Sequence, residues 1–239
     1  MKYMFLHTHA QSPKCIVFFG GFGSRAEHFR HLEAQCSVIL VYDYKDFMLH
    51  HTFLQDMKRF SEVILIAFSM GVSIAPLFVS HLPFVKKIAI NGTNVGIDRV
   101  FGIHPSIFKK TITHFENKLF CKALLGEKDN TLILAPKEEL QAELQSIFDF
   151  LLSQNQAKNI ESAKDEQVSK NSLDSQKIQE RQIHFHYDTA LLSQSDAIFP
   201  FNAAKSFFAS LSPLTHITIT HSPHFVFFDF SSWEELCSI

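Results

Sequence analysis

The chain has 239 residues with 22 basic and 24 acidic side chains, a near-balance that excludes the broad positive field of a nucleic-acid binder. That length suits one full-size α/β domain, with or without a cap, and no apolar run approaches the roughly 20 residues that cross a bilayer. The 26 phenylalanines imply a bulky core and suit an apolar pocket, while Cys15, Cys36, Cys121 and Cys237 lie scattered, with no C-x-x-C pair and no metal-ligand spacing.

Taken in order, residues 15–19 form an apolar run that ends at Gly20-Gly21-Phe22-Gly23. Ser24 and Glu27 then make a capping-box pattern for a helix carrying Phe29 and Leu32. Strand, glycine turn and helix make an α/β unit, but the glycines lack the spacing of either Gly-rich phosphate fingerprint. Residues 38–42 read as the next strand and 53–60 as a helix. Residues 63–66 are apolar and β-branched, suiting a strand buried on both faces, and they lead into Ala67-Phe68-Ser69-Met70-Gly71. A helix from Ser73 onward and a strand at 87–90 follow. Strands and helices alternating at this spacing predict a mostly parallel sheet with helices on both faces.

Beyond Asn91-Gly92-Thr93 the pattern turns helical. Phe108, Ile112, Phe115 and Leu119 fall on one helical face, and Leu140, Leu144, Ile147, Phe148 and Leu151 repeat the habit, which predicts a helical cap over 98–152 on a core made of 1–97 and 183–239. Residues 153–182 hold no aromatic, Gly or Pro and few apolar residues, so they read as a polar, mobile insertion. Strands resume at 189–193 and 217–220, and Ser231 with Glu234 predicts the cap of a final helix carrying Trp233 and Leu236.

The five residues centred on Ser69 match a nucleophile elbow, in which a strained strand-to-helix turn lifts a serine hydroxyl over the end of the sheet. Positions two before and two after must be small, as Ala67 and Gly71 are. Serine needs an imidazole to take its proton, and the imidazole needs a carboxylate to fix its tautomer. Asp196 on the loop after strand 189–193 is the favoured acid, with Asp98 its rival. His224 is the favoured base, with His221 its competitor in the same loop. The order Ser69, Asp196, His224 is that of an α/β-hydrolase fold. The backbone N–H groups of Phe22 and Met70 are the candidate oxyanion donors.

Several stretches resemble the BioG-type esterases: Phe18 to Gly23, Tyr42-Asp43-Tyr44, Ala67 to Val72, and Ala89 to Thr93. The resemblance continues through Gly102-Ile103, Ile107-Phe108, Thr111, Asp196 to Pro200, Asn202 and Pro223-His224. Phenylalanine stands at 22, where members of that family usually carry tryptophan, and at 68, where they often do. The resemblance implies hydrolysis of pimeloyl-acyl carrier protein methyl ester to pimeloyl-acyl carrier protein and methanol in biotin synthesis. It implies an acyl carrier protein as partner and no cofactor or metal. Phe22, Phe68, Phe101, Phe108 and Phe199 are candidate pocket residues, and Arg99, Lys109, Lys110, Lys118 and Lys122 are candidate contacts for an acidic carrier protein. A thioesterase, a short-chain carboxylesterase and a noncatalytic acyl- or partner-binding protein are the alternatives. A cytoplasmic monomer without nucleic-acid or membrane partners is expected.

Overall fold

The structure, a computed structural model, describes residues 1–128, 130–161 and 185–239. Seven strands form one sheet: β1 (Lys2–His7), β2 (Lys14–Phe19), β3 (Ser37–Tyr42), β4 (Glu62–Phe68), β5 (Lys86–Ile90), β6 (Thr189–Ser193) and β7 (His216–Thr220). Their order is β1-β3-β2-β4-β5-β6-β7, parallel throughout except for β1, which runs antiparallel to β3 at the edge. This is the α/β-hydrolase fold. The helices are α1 (His51–Met57), α2 (Met70–Val79), α3 (Pro105–Thr113), α4 (Asn117–Leu125), α5 (Lys137–Glu161), α6 (Phe201–Leu211) and α7 (Trp233–Cys237). Among the described residues no helix is long and apolar enough to cross a membrane.

The central strands divide their side chains between two cores because successive residues of a strand face opposite sides. Val17, Phe19, Val41, Leu65 and Ala67 meet Phe53 and Met57 of α1, Ile74 of α2, and Leu140, Leu144 and Ile147 of α5. Ile16, Phe18, Leu40, Ile66 and Phe68 meet Phe29, Phe227, Trp233 and Leu236 on the other side. Most residues of β2, β3 and β4 are buried on both faces, so the site at the carboxyl ends of these strands stands on close-packed core.

Several local expectations change. Strand β1 was not foreseen, since its half-exposed residues give neither a buried run nor a clean alternation. The pattern at Ser24 and Glu27 yields only a 3-10 turn over Ala26–Phe29, in which Arg25 N donates to His28 Nδ1 at 3.3 Å and His28 N donates to Arg25 O at 3.1 Å. The final helix is capped by Ser232, whose Oγ accepts from Glu235 N, rather than by Ser231. The single helical face expected from Phe108 to Leu119 is broken at Glu116, whose extended backbone (φ −135°, ψ 120°) separates α3 from α4 and resets the phase. Leu119 is therefore 67% exposed while Phe115 is buried. Helices α3, α4 and α5 lie between β5 and β6 in the chain. Of the polar insertion expected over 153–182, the residues up to Glu161 continue α5, and the rest lie outside the described residues. The four cysteines are free thiols.

Candidate active site

Ser69 sits between β4 and α2 with φ 54° and ψ −122°, a conformation that costs a non-glycine residue strain and persists only where the surroundings impose it. The surroundings here are backbone packed against backbone. A Cβ on Gly71 would lie 2.4 Å from Phe19 O and 2.6 Å from Gly20 O, and one on Gly92 would lie 2.3 Å from Ser69 O. Ser69 N donates to Ile90 O at 2.8 Å, which ties the turn to β5.

Gly21 lies beside the serine, since a Cβ there would fall 2.9 Å from Ser69 Cβ. The turn from Gly20 to Gly23 thus runs past the nucleophile candidate. The N–H of Phe22 in this turn and the N–H of Met70, the first residue of α2, have no acceptor among the described residues. Two free donors beside a helix N-terminus are what a developing oxyanion needs.

His224 is buried, and its Nδ1 lies 2.6 Å from Asp196 Oδ2, with both side chains only 2% exposed. The other carboxylate oxygen, Oδ1, accepts from the N–H groups of Ile198 and Phe199 at 2.8 Å each, so the Asp196 loop orients its own acid. The rival residues are placed differently. Asp98 accepts from Val100 N and Phe101 N within its own turn, and His221 is exposed at the start of the loop.

Asn91, buried and with φ 47°, is a residue whose role sequence reasoning missed. Its Nδ2 donates to His224 O at 2.8 Å, and its Oδ1 accepts from Ser193 N at 2.8 Å. One side chain therefore joins the loop that carries the histidine to the strand end that carries the acid. The Asn-Gly-Thr segment was the only sequence signal for it.

Ser69, Met70, His224, Phe22, Phe68 and Phe108 line one cavity of about 540 Å³, further lined by Ile107 of α3, Phe115 in the link between α3 and α4, Leu119 and Phe120 of α4, and Leu144 of α5. Its walls are mostly apolar, as an acyl chain requires. Two pocket candidates lie elsewhere. Phe101 packs edge-on against Phe207 of α6, and Phe199 is buried in the core, leaving the neighbouring Ala197 and Ile198 to face the cavity. Of the basic candidates, Lys110 reaches the cavity rim; Arg99, Lys109, Lys118 and Lys122 are exposed, and none of the five forms an ion pair among the described residues.

The family model described as Pimeloyl-ACP methyl esterase BioG matches residues 1–184. The chain belongs to the BioG family. The BioG match ends before Asp196 and His224, so those two positions rest on the geometry above. An uncharacterized protein of Haemophilus influenzae is 27% identical over 148 residues, covering 58% of this chain and 67% of that one. A malonyl-[acyl-carrier protein] O-methyltransferase of Bacteroides fragilis is 32% identical over 146 residues, but the match spans only 29% of that longer protein. Among solved structures, BioG from Haemophilus influenzae superposes with a TM-score of 0.76 at 24% identity, covering 99% of both chains. A lipase-esterase related protein from Clostridium acetobutylicum gives 0.61 at 15%, covering 99% of this chain and 98% of that one. At these identities the structural likeness speaks for the fold, and the BioG chain stands among α/β-hydrolases.

Proposed function

We propose that the chain is a serine carboxylesterase that hydrolyses pimeloyl-acyl carrier protein methyl ester to pimeloyl-acyl carrier protein and methanol, within biotin synthesis. The observation that carries the serine chemistry is the buried 2.6 Å bond between His224 Nδ1 and Asp196 Oδ2 at the wall of the cavity that Ser69 also lines. In this reading Asp196 holds the imidazole with Nδ1 protonated, which leaves Nε2 free to take the Ser69 proton as Oγ attacks the ester carbonyl. The N–H groups of Phe22 and Met70 receive the oxyanion. Collapse of the tetrahedral intermediate breaks the bond to the methoxy oxygen, and the imidazolium returns its proton to release methanol. Water, deprotonated by His224, then cleaves the acyl-serine.

BioG membership supports the substrate. The Bacteroides fragilis relative, by its name, forms the class of bond that this reaction breaks, an O-methyl ester on an acyl carrier protein. The test is methanol release from methyl pimeloyl-acyl carrier protein, run beside rescue of a biotin auxotroph that lacks its methyl-ester esterase. Wild type is expected to do both and Ser69→Ala neither. Release of free carrier-protein thiol in place of methanol would make the enzyme a thioesterase, and failure of a fluorophosphonate to label Ser69 would remove the serine mechanism.

A further inference from the structure

The buried carboxylate of Glu143, on α5, has no part in the chemistry above, yet it lies against the turn that carries Phe22. Its Oε1 accepts from Gly23 N at 3.4 Å and from Tyr44 N at 3.3 Å, and the residue is 6% exposed. Tyr44, itself fully buried, donates its hydroxyl to Gly20 O at 2.7 Å. The two contacts bracket the candidate oxyanion donor. The Phe22 N–H belongs to the peptide plane between Gly21 and Phe22. The plane before it is fixed through Gly20 O, and the plane after it through Gly23 N. Leu140, one turn earlier on α5, touches the same turn, since a Cβ on Gly23 would meet Leu140 Cδ2 at 3.2 Å.

We propose that Glu143 is a positioning residue for the oxyanion turn: its carboxylate holds the Gly23 and Tyr44 backbones and so aims the Phe22 N–H at the cavity. This rests on the serine-esterase reading above. Leu144, the next residue of α5, lines the cavity, so the helix that meets the acyl chain is also the one that sets the donor. Contacts of 3.3 and 3.4 Å are long, and long contacts depend on acceptor charge: an ionised acceptor roughly doubles the strength of such a bond. Burial, with a smaller contribution from Asp43, raises the Glu143 carboxyl from the ordinary 4.5 to about 7 against the opposing pull of the two N–H groups and Lys45. The other charged groups around this cleft are Lys2 of β1, Arg25, Glu27 and Arg30 of the 3-10 turn region, and Glu139 of α5.

The test uses Glu143→Leu, which removes the acceptor, and Glu143→Gln, which keeps a neutral one. With a small soluble ester, Glu143→Leu is expected to lose about tenfold or more in kcat with KM little changed, as for a misaimed oxyanion donor. Amide hydrogen exchange over residues 20–24 should quicken in the same variant. Glu143→Gln should restore most of kcat near pH 6 and fall behind wild type as pH rises through about 7. Wild-type kcat in folded Glu143→Leu overturns the proposal. So does a Gln variant as impaired as Leu at every pH, which would make Glu143 a packing residue only. An inactive wild type, unlabelled at Ser69, would instead sink the esterase reading itself.

Discussion

A serine held at φ 54° and ψ −122° has its hydroxyl aimed by the backbone, so replacing the side chain removes chemistry while leaving the turn intact. Ser69→Ala and His224→Ala should each lower kcat about 10⁴-fold or more with an unchanged melting temperature, whereas His221→Ala and Asp98→Asn should stay near wild type. Steady-state kinetics on one small ester decides all four, and a dead Asp98→Asn beside an active Asp196→Asn would move the acid. Ser69, Asp196 and His224 were legible in the sequence because each sits on a loop just past a strand, where order along the chain implies nearness in space. Glu143 was not legible. In a helix that opens with Glu138 and Glu139 a further glutamate reads as part of a solvated face, and only the packing of α5 on the glycine turn buries it. That burial has a measurable sign. With a folded pKa near 7 against 4.5, the unfolded chain gives up this proton first, so stability falls as pH rises from about 4.5 and levels off above about 7. The full loss is about 3 kcal/mol, and urea unfolding of Glu143→Gln across that window should lack it. Parallel stability curves for the two proteins would show that the carboxyl is solvated.

At the scale of elements, the elbow depends on β2, β4 and α2 approaching until only hydrogen fits between them. Gly71→Ala places a methyl 2.4 Å from Phe19 O, a backbone atom that cannot step aside, so β2 and α2 must separate. We expect a loss of about 2 kcal/mol or more in thermal or chemical unfolding, together with loss of kcat, because the same shift moves Ser69 and the Gly20 turn. Wild-type stability in that variant would mean that the strand and helix have slack. The central strands were readable for a related reason. Burial on both faces demands an apolar run, and such runs stand out at 15–19, 38–42 and 63–66. What escaped were features set by neighbours: β1 is a strand because β3 offers it an edge, and α3 and α4 separate where Glu116 turns extended. Periodicity across 108–119 carried no sign of that break.

For the whole molecule, a formal charge of −2 conceals an uneven surface. Helices α3 and α4 and the loop before them carry Arg99, Lys109, Lys110, Lys118 and Lys122, exposed and without ion-pair partners among the described residues, while Ile107 and Leu119 stand 60% and 67% exposed at the rim of the cavity. An acidic carrier protein delivering its acyl chain into that cavity would meet these cations first. Exposed charges at such a rim act mainly on the rate of encounter, which long-range attraction raises and salt screens. Reversing two of them in Lys118→Glu with Lys122→Glu should therefore lower kcat/KM for the carrier-bound methyl ester several-fold at low salt. Turnover of p-nitrophenyl butyrate should be untouched, since that substrate brings no acidic surface. At about 0.5 M salt the Debye length falls well below the roughly 10 Å of 0.1 M solutions, and the difference between the two proteins should shrink accordingly. Equal losses on both substrates would mean that the substitutions disturbed α4 itself. No loss on either would place the carrier protein on another face, away from the helices that line the cavity.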